Sequence, residues 1–109
     1  MVVAVRFESD VPNVDFVVAV NIFDDLGNLV LGANSMQLGS PLTVDAGPGT
    51  YEFRFDSVPL TSGIYQLATG LHNRDGIEYD HVEKAGVFQV SSDSLLAGRV
   101  WFPLTGAFA

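Results

Sequence analysis

Two imidazoles and two carboxylates crowd into "HNRDGIEYDH", residues 72 to 81: His72, Glu78, Asp80 and His81. On an extended strand Glu78 and Asp80 share one face at about 7 Å. Carboxylates paired near that distance can cleave a glycosidic bond, one as acid and one as base or nucleophile. That reaction also needs a cleft and a raised pKa on one partner. A flat strand surface supplies neither, so glycoside hydrolysis is disfavoured. Asp24 and Asp25 sit in "FDDLGN", where aspartate serves local turn hydrogen bonds. His72 and His81 are the only histidines. The hairpin register argued below sends them to opposite faces, so they cannot share a metal. His81 then reads as a structural histidine on the core side. For His72 two readings stand equally: a solvated cross-strand pair with Glu78, or a ligand contact.

Other chemistry is weaker still. There is no cysteine, hence no thiolate metal site and no disulfide. "AGPGT", residues 46 to 50, is too short and wrongly placed for a phosphate loop. No Ser–His–Asp spacing stands out. Trp101 could stack on a sugar, but Val100 and Phe102 beside it favour packing. We expect no catalytic residue, no metal site and no cofactor; the chain is not read as an enzyme.

The elements that must hold these groups are strands. Apolar periodicity is two almost throughout, and Val, Ile, Phe, Tyr and Thr dominate. Val3, Val5 and Phe7 alternate with Ala4, Arg6 and Glu8. "DFVVAVNIF", residues 15 to 23, is apolar on both sides and reads as a central strand. "DDLGN" turns into "LVLGANS". Residues 38 to 50 form a Pro- and Gly-rich loop. "YEFRFD" places Tyr51, Phe53 and Phe55 inward. "GIYQLATGLH" and "IEYDH" form a hairpin, "GVFQV" is a separate strand and "RVWFPL" is the last. About eight short strands at this spacing indicate a sandwich or barrel.

The turn "NRDG", residues 73 to 76, sets the register. Arg74 and Asp75 suit the centre of a type I turn, with Gly76 in the left-handed position after it. Asn73 then opposes Ile77, His72 opposes Glu78, Leu71 opposes Tyr79 and Gly70 opposes Asp80. Tyr79 joins Leu67 and Leu71 on the core side. A slip of one residue would exchange every face. The other face carries Gln66, Ala68, Gly70, His72, Glu78 and Asp80. If residues 51 to 55 lie alongside, Arg54 and Glu52 join it. Small residues make a shallow floor with amide, imidazole and carboxylate groups around it. Such a surface can hydrogen-bond a polyhydroxylated ligand. The expected contacts are Gln66, His72, Glu78, Asp80 and Arg54.

Bulk composition limits the partners. The chain has 109 residues and a net charge of −8, with only five Lys and Arg. One domain fits that length. A nucleic acid or an anionic membrane surface would call for a basic footprint. No apolar run reaches the ~18 residues of a membrane span. The opening "MVVAVRFESD" lacks the pattern of a signal peptide. The absence of cysteine suits a reducing compartment.

One run carries a resemblance. "VPLTSGIYQLATGLHNRDGIEYDHVEKAGVFQV" resembles the C-terminal carbohydrate-binding domain of the ATPase subunit of O-antigen ABC transporters, the Wzt type. The matching positions are Leu60, Gly63, Tyr65, Tyr79, Asp80, Phe88 and Val90. "IFDDLGNLVLGANS" and "GRVWFPL" resemble the family's earlier hairpin and closing segment. The resemblance spans about residues 2 to 104. It implies an immunoglobulin-like antiparallel β-sandwich, all-β, that binds a polysaccharide in the cytoplasm before export. It further implies work beside the ATPase and membrane subunits of a transporter at the inner membrane, and a homodimer joined through C-terminal strands. The family's usual extra hairpin before "VVAVRFE" and its ATPase domain are missing here. On this reading residues 1 to 109 are a single carbohydrate-binding domain, a fragment of a longer chain. The alternative is a protein-interaction or adhesion-type sandwich that works through its edge strands.

Overall fold

The computed structural model describes residues 2–55 and 60–90, and of 82–85, 87, 88 and 90 the backbone alone. Six strands form among these residues: β1 (Val2–Ser9), β2 (Val17–Phe23), β3 (Leu29–Asn34), β4 (Gly47–Arg54), β5 (Gly63–His72) and β6 (Glu78–Val90). All pairings are antiparallel. One sheet has the order β3-β2-β5-β6, and the other pairs β1 with β4. The two sheets face each other as a β-sandwich.

Alternation explains which residues meet. Val5 of β1 and Phe53 of β4 pack on Val18 and Val20 of β2, with Phe16 at one end. A second cluster joins Ile22, Leu60 and Tyr65. The Tyr65 ring is fully buried, yet its hydroxyl donates to the Thr61 carbonyl at 2.7 Å. A buried phenol without such an acceptor would cost stability. β2 is central, and Val17 on its other face is buried as well.

The two hairpin turns are built by side chains acting on backbone. Gly27 has φ 82° in the β2–β3 turn, a conformation natural to glycine. Asp24, almost fully buried, accepts hydrogen bonds from the Leu26 and Asn28 amides and from the Asn28 side chain. In the β5–β6 turn Gly76 has φ 85°. The Asn73 amide donates to the Ile77 carbonyl, and Asn73 Oδ1 accepts from the Asp75 and Ile77 amides. This is the three-residue turn with a glycine bulge that the sequence predicts.

Three expectations need correction. The expected count of eight strands becomes six among the described residues. "IEYDH" and "GVFQV" belong to one strand, β6, joined through residues 82–86 by an irregular ladder that sets Thr69 opposite Val82 and Leu67 opposite Gly86. The expected strand at "RVWFPL", with Trp101, lies outside the described residues. Second, β4 does not lie beside β5; it pairs with β1 in the other sheet. Third, the hairpin register holds for His72 opposite Glu78 and then shifts. Leu71 opposes Asp80 and Gly70 opposes His81, because Tyr79 forms a bulge.

Asp24→Ala is expected to leave the turn amides without their acceptor and lower stability by about 2 kcal/mol. Urea unfolding should show a lower midpoint at an unchanged slope.

Candidate functional site

The Tyr79 bulge decides what the outer face of the larger sheet displays. Its ring leaves the ladder and stacks on Phe16, centroids 6.3 Å apart and planes 18° apart. Its hydroxyl donates to the Asp15 carbonyl at 2.9 Å. Two residues of β6 now occupy the space of one, so His81 turns to the outer face opposite Gly70. One row then crosses all four strands: Asn34, Ala19, Gly70 and His81. Asn21 opposes Gly32 on one side of this row, and His72 opposes Glu78 on the other.

These rows line a concavity of about 490 Å³. Its floor is small, formed by Ala19, Gly32 and Gly70, and its walls are polar: Asn21, Asn34, Gln37, His72, Glu78 and His81. Several wall groups are already oriented. Asn34 Oδ1 accepts from the Gln37 amide at 2.8 Å, which leaves its NH₂ as donor. His72 Nδ1 lies 2.6 Å from the Asn73 carbonyl. A carbonyl only accepts, so Nδ1 is the donor in this contact. His81 Nδ1 lies 3.4 Å from Glu78 Oε1. Both donors and acceptors thus stand round a bare floor. That arrangement can hydrogen-bond hydroxyl and amide groups, and the Glu78 carboxylate stays largely exposed.

The five sequence-derived contacts divide. His72 and Glu78 line the concavity. Gln66 is on β5 opposite Phe23, further along the strand, and is not among its lining residues. Asp80 is carried away by the bulge: it opposes Leu71, is exposed, and accepts from the His81 amide. Glu78 and Asp80 therefore do not form the expected same-face pair. Arg54 is on β4 in the opposite sheet, exposed and paired with Glu52 at 2.5 Å. Its expected place beside β5 fails because alternation tells inward from outward but not which sheet a strand joins.

His81, a core-side residue on the sequence reading, is instead a wall residue with His72. Asn21, Asn34 and Gln37 are further wall residues beyond the sequence reading. The signal for them is the small residues Ala19, Gly32 and Gly70 on three strands, which mark one floor only once β2 is known to pair with both β3 and β5. Among the described residues no three His, Cys, Asp or Glu side chains are placed to hold a metal ion.

The hairpin that forms one wall is held from a distance. Asp15 Oδ1 accepts from the Arg74 amide at 2.7 Å and from Arg74 Nε at 3.2 Å. Together with the Tyr79 hydroxyl, these bonds tie the turn carrying Gly76 and Glu78 to the segment before β2.

Comparison with known proteins adds three findings. The profile of the Wzt C-terminal domain matches residues 1–102. A solved structure, "Crystal structure of the C-terminal domain of wzt", superposes with a TM-score of 0.87 at 18% identity, covering 97% of this chain and 68% of that one. At that identity the likeness concerns the fold. No curated protein sequence matches the chain.

Asp15→Ala is expected to free the hairpin rather than unfold the sandwich. A partly exposed ion pair and one backbone bond together contribute about 1–2 kcal/mol. Amide exchange should accelerate at Arg74, Gly76 and Ile77, while the β2 amides keep their protection.

Proposed function

Because the chain belongs to the Wzt C-terminal domain family, we propose that it is a non-catalytic carbohydrate-binding module of an O-antigen polysaccharide ABC transporter. The observation that supports this reading best is the concavity on the outer face of the four-stranded sheet. It offers amide, imidazole and carboxylate groups around a floor of small residues. Sugars present hydroxyls that both donate and accept, and such walls satisfy them at little desolvation cost.

Selection on this reading is by differential binding. The polysaccharide that fits the walls is held; another leaves wall groups unpaired, which is the stronger source of discrimination. In the full assembly the module works with the ATPase and membrane subunits, on the cytoplasmic side of the inner membrane. Among the described residues no helix is long and apolar enough to cross a membrane. Dimerisation through the C-terminal strands concerns residues outside those described.

A second reading has one observation in its favour. Leu29 and Leu31 on β3, an edge strand, are 60% and 40% exposed. Exposed apolar groups on a strand that is an edge among the described residues suit association with another protein. Charged substitutions there should abolish association and leave glycan binding intact if the two functions are separate.

The decisive measurement is a titration with O-polysaccharide from the source strain, followed by ¹⁵N chemical shifts and calorimetry. His72→Ala and Asn34→Ala are expected to weaken binding at least about tenfold, the loss of one to two hydrogen bonds. Arg54→Ala, on the opposite sheet, is expected to change it by less than about twofold. Shifts confined to β1 and β4 would overturn the proposal.

A further inference from the structure

Gly70 occupies the centre of the cross-strand row, between Ala19 and His81. A glycine inside a strand weakens it and calls for a reason. At Gly49 and Gly32 the chain's own packing gives one. A side chain at Gly49 would run into the Phe7 ring at 2.5 Å, and one at Gly32 would meet Asn21 Oδ1 at 2.9 Å. Gly70 is different. Its backbone is ordinary strand, without positive φ. A methyl group there would meet only the Asp80 carbonyl and His81 Nδ1, both at 3.7 Å, an ordinary contact distance. Nothing within the described chain forbids alanine. The vacant space opens into the concavity, with His72 next to it along β5 and Asn34 at the end of its row.

We propose that Gly70 is the point of closest approach for the ligand: a sugar ring lies against the β5 backbone there, and the missing side chain sets the size limit of the site. The inference rests on the carbohydrate-binding reading and adds its steric determinant. Wall hydrogen bonds from Asn34, His72 and His81 orient the ring. The bare backbone lets it descend far enough to reach them. A methyl group on the floor would lift the ring and stretch those bonds together, so even this small group should cost about as much as one lost contact.

The test separates binding from folding. Gly70→Ala and Gly70→Val are compared with wild type in the full chain, using source-strain O-polysaccharide as probe. Gly63→Ala, at the start of β5 and outside the concavity, is the control; its methyl would meet the Tyr65 ring at an ordinary 3.5 Å. Relief of chain entropy should keep the Gly70→Ala melting temperature at or up to about 4 °C above wild type. Affinity should fall about tenfold for alanine and about a hundredfold for valine, as overpacking does. Gly63→Ala should bind as wild type. In the wild type, the amides of Gly70 and Ala19 should show the largest shifts, a readout that survives even if a variant fails to fold. Gly70→Ala binding within twofold of wild type while His72→Ala fails would overturn this inference and leave the binding site standing. Largest shifts away from the Gly70 row would do the same. No binding by wild type would overturn both readings.

Discussion

The Tyr79 side chain fixes the outer face of the larger sheet. Its ring stacks on Phe16 and its hydroxyl bonds to the Asp15 carbonyl at the point where the β6 ladder shifts register. An aromatic stack and one hydrogen bond are each modest contributions, about 1 kcal/mol apiece. Register converts them into a large geometrical effect, since one extra residue moves every later side chain to the other face. His81 enters the concavity and Asp80 leaves it for that reason alone. The same bulge lets β6 bend where the concavity needs a wall.

β2 is the second constraint. It is buried on both faces and pairs on both edges. One face supplies Val18, Val20 and Ile22 to the interior. The other supplies Ala19 and Asn21 to the concavity. Core and site are thus opposite sides of one seven-residue strand. Ser35 closes its end: the Ser35 amide donates to the Val18 carbonyl, and the Val18 amide donates to Ser35 Oγ. A site seated on such a strand is preorganised, because moving its floor would disturb the core beneath.

What could be read from sequence follows from what acts locally. Alternation in β1 and β4, the two-sided burial of β2 and the turn at Asn73 to Gly76 are all set by neighbours a few residues apart, and these were legible. The Tyr79 bulge depends on Phe16 and Asp15, more than sixty residues away, and no periodicity encodes it. Sheet partition is equally silent. Glu52 and Arg54 point outward as expected, but outward from the other sheet. For the site, His72 and Glu78 were legible through the turn. Asn21 and Asn34 had to wait for the pairing of β2 with β3, and His81 for the bulge. The resemblance to the Wzt family implied a fold and a ligand class but no contact residue.

The Asp15 ties to Arg74 and Tyr79 also carry an entropic meaning. They link residues 59 and 64 positions apart, with the whole of β2, β3, β4 and β5 between them. Closing so long a loop is entropically unfavourable until intervening strands have paired. Pairing of β2 with β5 closes nearly the same loop, since Val17 opposes His72, so these ties form at little further entropic cost once that pairing exists. The position of the Glu78 wall is thereby coupled to the docking of β5 on β2, so loosening that one pairing would release the hairpin from the segment before β2 as well.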